Sequence, residues 1–255
     1  MTVYTEKQQA VWTVIIDHPE KKNAVNRQTA DALAKAFAEF DNDDSARVAV
    51  LWGQGGSFCA GADLADIARF SEGHGNRIDP DMTQNGPMGP SRMQLSKPLI
   101  AAVSGYAVAG GLELACWCDI RVVEETAVFG VYCRRFGVPL IDGGTQRLPR
   151  IIGLGRALDL ILTGRDVTAA EALHMGLANY VVKPGQARQK AEQIATQIAA
   201  FPQLCVQNDR QAVYQGLDLA LDQGMAREFS LGMDVLESGE SQQGARRFVD
   251  RRKDI

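Results

Sequence analysis

The sequence is poor in the residues and spacings that bind metals. Its three histidines, His18, His74 and His174, are scattered and form no HExxH-like pattern. The five cysteines contain no CxxC pair, and metal sites usually depend on such closely spaced ligands. An odd number of cysteines in a chain of 255 residues also argues against a disulfide framework. We therefore expect no bound metal and no network of disulfides.

The sequence also lacks an excess of positive charge and a long apolar run. Its net charge of −4 argues against nucleic-acid binding, because a nucleic-acid site needs a basic face. No apolar run reaches the roughly 20 residues that a membrane-spanning helix requires. The N-terminal stretch MTVYTEKQQAVWTVIID does not have the basic-then-apolar form of a signal peptide. These absences predict a cytoplasmic protein that binds neither nucleic acid nor membranes.

The apolar pattern predicts an α/β fold. Hydrophobic residues make up 45% of the sequence, which is enough to bury a sizeable core. Residues 11–16 and 47–52 are apolar runs typical of buried strands, and residues 26–40 have helical apolar spacing with Asn26 as the N-cap. Two further strands flank the glycine-containing stretch 105–118. The order of strand, glycine turn, helix and strand recurs, which predicts stacked ββα units.

The chain changes character in two places. Residues 71–96 contain four glycines and three prolines with almost no apolar rhythm, which predicts a mobile surface loop or lid. From Ala187 onward the sequence is almost entirely helical and charged. We therefore predict a core that carries the functional site over residues 1–190, and a C-terminal helical region over residues 191–255.

Two glycine-rich turns each lead from a strand into a helix, GQGGSFCAGADL at 53–64 and AVAGGLEL at 107–114. The first could be a dinucleotide phosphate loop, but no good acidic candidate lies about 20 residues further on, as that site requires. The first N–H groups of a helix have no intrahelical partner. If two helices begin near Ala62 and Gly111 and their starts converge, the N–H groups of Ala62 and Gly110 form a two-donor oxyanion hole.

One carboxylate, Glu113, lies just after the second glycine pair, behind Leu112, in an otherwise apolar run. A buried ionised carboxylate is unfavourable unless it is hydrogen-bonded or paired. In one interpretation the role is electrostatic, because an acid in the first helical turn gains about 0.3–1 kcal/mol from the helix dipole. In the other it is catalytic, because a carboxylate beside an oxyanion hole has the geometry for acid–base chemistry.

Four segments together resemble the crotonase, or enoyl-CoA hydratase/isomerase, superfamily: FCAGADL, KPLIAAVSGYAVAGGLELACWCDIR, DGGTQRLPRIIG and FVDRRK. The resemblance covers nearly the whole chain. It implies a spiral of ββα units followed by a C-terminal helical trimerisation region, in a homotrimer or a hexamer of two trimers. It also implies an acyl-CoA substrate whose thioester oxygen is bound by the N–H groups of Ala62 and Gly110. Coenzyme A would then be part of the substrate, and no cofactor would be bound permanently.

The resemblance assigns Glu113 to one of the two catalytic glutamates of enoyl-CoA hydratases. An ungapped alignment of residues 129–148 places Cys133 at the position of the second, so the sequence departs from the two-glutamate pattern. Cys133 is either an acid or nucleophile with a tuned pKa or a small buried apolar residue. Asp142 is the candidate substitute, since it matches a carboxylate position of dihydroxynaphthoyl-CoA synthases and dienoyl-CoA isomerases. Its alternative role is a turn or a helix cap.

The resemblance further implies substrate contacts from several segments. The expected contacts with coenzyme A and its acyl group are Lys22, Ala24, Ala60, Gly61, Asp63, Leu64, Cys133 and Lys253, although the Asp63 carboxylate is also a good helix cap. The acyl pocket is expected to be lined by Leu64, Ile67, the loop 71–95, Tyr132 and Phe136.

The sequence therefore predicts an acyl-CoA lyase, most simply an enoyl-CoA hydratase that adds water syn to a 2-enoyl-CoA. Two alternatives stay open. The first is an enoyl-CoA isomerase or another crotonase-type acyl-CoA reaction, because Cys133 replaces the second glutamate. The second is a non-catalytic paralogue that binds coenzyme A, because a fold does not fix a function.

Overall fold

The computed structural model, which describes residues 2–251, has two β-sheets at its centre. The larger sheet has six strands, whose spatial order is β1 (Val3–Gln8), β2 (Val11–Ile16), β3 (Val48–Gly53), β4 (Leu99–Val103), β6 (Ile120–Glu124) and β9 (Tyr180–Val182). In this sheet β1 and β2 form an antiparallel pair. Its other neighbouring strands, in the order β2, β3, β4, β6 and β9, pair in parallel. The smaller sheet contains β5 (Tyr106–Val108), β7 (Val128–Gly130) and β8 (Val167–Thr168).

Helices pack around these sheets and make up most of the chain after β9. In chain order they are α1 (Arg27–Asn42), α2 (Leu64–Ile67), α3 (Gly110–Trp117), α4 (Gly144–Ile152), α5 (Leu154–Thr163), α6 (Ala169–Met175), α7 (Ala187–Ala199), α8 (Gln203–Gly216), α9 (Leu221–Glu237) and α10 (Glu240–Arg251). No helix within residues 2–251 is both long and apolar enough to cross a membrane.

The predicted repetition of ββα units is confirmed. Strand β4 is followed by β5 and helix α3, and strand β6 is followed by β7 and helix α4. The unit that begins with β3 has the same order of two strands and a helix, but its second strand and its helix are shorter. Its second strand is the single residue Cys59, which forms a parallel bridge with Ala107 of β5, and its helix is α2. The repetition places the starts of α2, α3 and α4 in corresponding positions of successive turns.

Helix α1 forms as its sequence pattern predicts. The side chain of Asn26 accepts a hydrogen bond from the N–H of Thr29 at 2.9 Å, so Asn26 is the N-cap. Leu33, Phe37 and Phe40 are fully buried, and their spacing puts them on the face that packs against the sheet. The helix continues two residues beyond Phe40.

The opposite face of the large sheet is covered by α7. Val48 and Val50 of β3 pack in the same cluster as Ala191 and Ile194 of α7, whereas the alternate residues of β3 belong to the main core. The predicted division between residues 190 and 191 falls inside α7, which spans Ala187–Ala199 and packs on the sheet. The helices α8, α9 and α10 follow it, and the division into two regions stays a prediction.

The segment 71–96 differs from the predicted surface loop in its second half. Residues 81–85 are exposed, but residues 86–91 are buried. The side-chain amide of Asn76 donates to the carbonyl oxygens of Val25 and Pro87, and Gly86 and Gly89 exchange two backbone hydrogen bonds of 2.9 Å. Because this segment packs through backbone contacts and glycines, its burial leaves no apolar periodicity in the sequence.

Candidate active site

A cavity of about 830 Å³ is the place where the predicted site residues meet. It is lined by both glycine turns, by the 3₁₀ segment Tyr132–Phe136 and by parts of the segment 71–96. Its walls are mainly apolar, and a few polar side chains point into it. This combination is typical of small-molecule sites.

The two glycine turns lie against each other at this cavity. A Cβ built on Gly61 would lie 2.9 Å from the backbone nitrogen of Gly110, and one on Gly111 would lie 2.0 Å from the carbonyl oxygen of Cys59. Only glycine fits such a close approach of two backbones. Ala62 and Gly110 both line the cavity. The two turns that carry Ala62 and Gly110 therefore lie close together, and the oxyanion hole itself stays a prediction.

The N–H of Ala62 is free for a different reason from the predicted one. Helix α2 begins at Leu64, and its N-cap is Asp63, so Ala62 lies outside the helix. Ala62 instead forms a parallel bridge with Val25. In this bridge the N–H of Val25 donates to the carbonyl of Gly61, and the carbonyl of Val25 accepts from the N–H of Asp63. In such a bridge the N–H of the central residue points away from the partner strand. Within residues 2–251 this N–H has no hydrogen-bond partner.

The N–H of Gly110 is the first of helix α3 and also has no partner in the described part of the chain. The residue before it, Ala109, has φ +52° and ψ −126°, a strained conformation for a residue with a side chain. It is held there because its N–H donates to the carbonyl of Gly130 at 2.9 Å, while its own carbonyl accepts from the N–H of Glu113 at 3.2 Å. This turn aims the start of α3 at the cavity.

Glu113 is 2% exposed and lines the cavity. Its Oε1 accepts hydrogen bonds from the backbone N–H groups of Asp142 at 3.0 Å and Gly144 at 2.8 Å. Burial raises the pKa of Glu113 to about 8; the neighbouring Asp142 carboxylate adds to the rise, and the two N–H groups oppose it. A pKa raised in this way favours the protonated carboxyl group at neutral pH.

Asp142 is also buried, 5% exposed, and lines the same cavity. Its Oδ1 accepts hydrogen bonds from the backbone N–H of Met88, at 2.8 Å, and from the hydroxyl of Ser91. Burial raises the pKa of Asp142, and the donors Ser91 and Met88 and the charges of Arg92 and Arg147 oppose this rise. Asp142 is not the N-cap of α4, since Gly143 occupies that position.

The charged partner of this site is Arg147, which the sequence did not reveal. Arg147 donates to the backbone carbonyl of Asp142 at 3.0 Å and to that of Ser91 at 2.8 Å. Arg134 and Arg135, the arginine pair that follows Cys133, bond to groups other than these carboxylates. Arg134 donates to the carbonyl of Ile161, and Arg135 donates to Gly164 and Asp166.

Cys133 lies on the cavity wall in the 3₁₀ segment and is 5% exposed. Burial raises the pKa of its thiol, and the nearby Glu113 adds to the rise. A thiol in such surroundings is neutral at physiological pH and behaves as a small apolar group. Asp142 is the second buried carboxylate that lines the cavity beside Glu113.

The residues predicted to contact coenzyme A separate into two groups. Lys22, Ala60 and Leu64 line the cavity, and so do the expected acyl-pocket residues Ile67, Tyr132 and Phe136. Ala24, Gly61 and Asp63 are not among the lining residues of the described chain. The Asp63 carboxylate caps α2 through the N–H of Ala65 and pairs with Lys21 at 2.5 Å, as its alternative role predicted. Lys253 lies outside the described residues.

A polar cluster on the cavity wall was missed by sequence reasoning. The Tyr132 hydroxyl and the Arg135 guanidinium both donate to Asp166, at 2.7 and 3.0 Å. The ammonium group of Lys22 lies 4.4 Å from the ring centre of Tyr106. Asp166 is far from Tyr132 and Arg135 in the sequence, as Lys22 is from Tyr106, and no local pattern could have shown that they meet.

In residues 2–251 no group of three or more His, Cys, Asp or Glu side chains could hold a metal ion.

Comparison with known proteins identifies the family. The family model described as enoyl-CoA hydratase/isomerase matches residues 6–254. The chain belongs to the enoyl-CoA hydratase/isomerase family. Enoyl-CoA hydratase EchA19 of Mycobacterium tuberculosis is 36% identical over 246 residues, with 94% of this chain and 90% of the relative covered. The short-chain-enoyl-CoA hydratase of Clostridium acetobutylicum is 33% identical, with 98% and 95% covered.

Solved structures agree with this family membership. The crystal structure of an enoyl-CoA hydratase from Mycobacterium tuberculosis H37Rv matches with a TM-score of 0.91 at 34% identity, covering 98% of this chain and 96% of that chain. Enoyl-CoA hydratase EchA1 from Mycobacterium marinum matches with a TM-score of 0.90 at 32% identity, with the same coverage. The crotonase-like fold that the sequence predicted is confirmed, and the protein is an enzyme of the enoyl-CoA hydratase/isomerase family.

The raised pKa of Glu113 has a measurable effect on stability. The pKa is about 8 in the folded enzyme and 4.5 for an ordinary glutamate, so between these values the unfolded chain is ionised while the folded chain is protonated. The contribution of Glu113 to the free energy of unfolding is therefore fully present below pH 4.5 and is lost as the pH rises to about 8. We expect the melting temperature of the parent enzyme, minus that of Glu113→Gln, to fall from about pH 5 to about pH 8 and then level off.

Scanning calorimetry across this pH range checks the expectation. Glu39→Gln, which changes an exposed carboxylate of α1, is the control and should give no such slope. A difference between parent and Glu113→Gln that stays constant with pH would mean that Glu113 is ionised in the folded enzyme.

Proposed function

We propose that this enzyme is an enoyl-CoA hydratase in which Glu113 and Asp142 form the acid–base pair. The observation that carries the proposal is the presence of two buried carboxyl groups in one cavity, beside the two free N–H groups of Ala62 and Gly110. The relatives named as enoyl-CoA hydratases support it. The substrate would be a 2-enoyl thioester of coenzyme A.

The two N–H groups supply the electrophilic part of the reaction. Addition of water to the double bond pushes negative charge onto the thioester oxygen as an enolate forms. The N–H groups of Ala62 and Gly110 would each donate a hydrogen bond to this oxygen. Because they are part of the backbone and already oriented, they stabilise the enolate without reorganisation, and each is typically worth about 3 kcal/mol.

The two carboxyl groups would divide the proton transfers between them. Like charges so close together cannot both be ionised easily, so the pair holds one proton. Asp142 has a hydroxyl, an N–H and two arginines around it, which favour its ionised form, whereas Glu113 has two backbone donors and the charge of Arg147 alone. Asp142 would then take a proton from water as the water oxygen bonds to the β-carbon. Protonated Glu113 would donate through its second oxygen, Oε2, to the α-carbon.

A second candidate function is double-bond isomerisation. The observation that favours it is the neutral, buried thiol of Cys133 at the position of the second glutamate. Isomerisation moves one proton between two carbons of the substrate, so a single acid–base residue such as Glu113 suffices. The presence of Asp142 in the same cavity makes hydration the leading proposal.

We also propose how the substrate and subunits are arranged. Lys22, next to Ala60 on the cavity wall, is suited to coenzyme A phosphates because an ammonium group pairs well with them. Lys253 of the basic C-terminal segment is proposed for the same role.

The helices after α7 carry several large exposed apolar side chains, including Leu221, Met225 and Phe229. Such surfaces usually mark protein interfaces, which supports a homotrimer or a hexamer of two trimers.

Turnover of crotonyl-CoA tests the proposed reaction. Loss of the conjugated thioester absorbance with formation of the 3-hydroxy product is expected for hydration, whereas isomerisation predicts no reaction with this substrate. Glu113→Gln and Asp142→Asn should each lower kcat by about 10²–10⁴-fold, as the loss of a general acid or base does. Both variants should still bind the substrate, because the backbone donors remain.

The matched control is Glu124→Gln. Glu124 is a buried glutamate that accepts a backbone N–H, from Gly185 at 2.9 Å, but it does not line the active cavity. This variant should keep the parent activity. Full activity of Asp142→Asn would remove Asp142 from the mechanism and favour a reaction with one acid–base residue.

The pH dependence of kcat/KM tests the division of roles. Since Glu113 must be protonated to act as the acid, and its pKa is about 8, kcat/KM should decline above about pH 8. The residual activity of Glu113→Gln should lack this decline. If kcat/KM instead rises through this pH range, Glu113 acts in its ionised form and the two roles are exchanged.

A further inference from the structure

The buried segment 86–91 bears directly on Asp142. The Ser91 hydroxyl donates to Oδ1 of Asp142, and Ser91 is 1% exposed, so water does not compete for this bond. The N–H of Met88 donates to the same oxygen. With Oδ1 engaged twice, Oδ2 is the oxygen left for chemistry in the cavity.

Several further contacts hold this segment in place. Gly86 passes so close that a Cβ would lie 2.0 Å from Oγ of Ser91 and 2.9 Å from Oδ1 of Asp142. Gly89 lies against helix α1, where a Cβ would be 2.3 Å from the carbonyl oxygen of Ala30. Arg147 bonds to the backbone carbonyls of both Ser91 and Asp142. The donor and the acceptor are thus fixed by the same guanidinium group.

We propose that Ser91 is a positioning residue for the reaction, which fixes the Asp142 carboxylate with Oδ2 directed at the substrate and favours its ionised form. This inference rests on the proposed function, because it assumes that Asp142 is the base. Ser91 itself does not line the cavity and acts through Asp142. The charged and titratable groups that face Asp142 are Glu113 from α3, Arg92 from the loop and Arg147 from α4.

The test compares Ser91→Ala, Ser91→Thr and Ser91→Cys by their pH profiles of kcat/KM. A hydrogen bond to an ionised group is worth about a factor of ten or more, so Ser91→Ala should lower kcat by about 10–100-fold. Its acidic limb, which reports ionisation of the base, should move about one pH unit upward. Ser91→Thr keeps a hydroxyl group, so its acidic limb should lie at the position of the parent enzyme. The thiol of Ser91→Cys is a weaker donor, so its acidic limb should lie between those of the parent and Ser91→Ala.

The control is Ser96→Ala. Ser96 lies in the same loop and also donates to an aspartate, Asp41, at 2.9 Å, but this pair is exposed and outside the cavity. It should leave the pH profile unchanged. If Asp142→Asn is inactive but the limb of Ser91→Ala stays at the parent position, this inference is wrong and the proposed function stands. If Asp142→Asn is fully active, the proposed base itself is wrong. Melting curves show whether each variant is folded.

An independent observation concerns the size of the acyl group. Two large apolar residues on the cavity wall, Ile78 and Phe136, are 57% and 64% exposed. Phe70 and Ile141 on the same wall are also exposed. Exposed apolar surface that continues from a cavity usually marks a ligand or partner. The acyl chain of a thioester is an apolar ligand that would cover such surface.

We infer that the enzyme prefers 2-enoyl-CoA thioesters with acyl chains much longer than four carbons, and that Ile78 and Phe136 contact the distal part of the chain. This rests on the proposed function only for the thioester. The test therefore measures binding as well as turnover. Affinity for saturated C4, C8 and C12 acyl-CoA should rise by up to about fourfold for each methylene that becomes buried, and kcat/KM for the enoyl series should follow.

Ile78→Ala and Phe136→Ala should each reduce the ratio of C12 to C4 affinity by about fivefold, since each removes part of the apolar contact. Met82→Ala is the control, because Met82 is 68% exposed in the same loop but does not line the cavity. Equal affinity for C4 and C12 would overturn the inference. So would a change in sedimentation of Ile78→Ala and Phe136→Ala at an unchanged affinity ratio, because these residues would then contact a second copy of the chain.

Discussion

The arrangement of the site depends on a carboxyl group that is buried and held by backbone N–H groups. Glu113 sits on a helix that begins in a strained turn, and its Oε1 meets the N–H groups of Asp142 and Gly144. Those two donors come from the start of α4, one ββα unit further along the chain. The carboxyl group therefore joins two successive turns of the spiral. Burial keeps it protonated at neutral pH, and the backbone donors fix its orientation without adding a counter-charge.

The same use of the backbone recurs at the oxyanion donors. Neither Ala62 nor Gly110 contributes a functional side chain, and their N–H groups are left free by a β-bridge in one case and a helix start in the other. Glycines at 61 and 111 allow the two turns to touch. In the proposed reaction the side chains would transfer protons, whereas the backbone N–H groups would stabilise the charge on oxygen.

Much of this could be predicted from the sequence because the determining features are local. The helix cap at Asn26, the repeated strand–turn–helix order and the two glycine turns are all encoded in short stretches, and the structure confirms the repeat and the cap. The missed parts depend on residues that are distant in the sequence. The burial of residues 86–91 rests on glycine and backbone contacts, which leave no apolar period. Ser91 meets both Asp142 and Arg147 only through the tertiary fold.

The anchoring of Glu113 has a consequence for the cavity wall around it. Its hydrogen-bond donors are backbone N–H groups, which only a substitution to proline removes. A substitution at a neighbouring wall position such as Cys133 therefore leaves these two hydrogen bonds of Glu113 in place. The composition of the cavity wall and the orientation of the Glu113 carboxyl group are in this way set independently of each other.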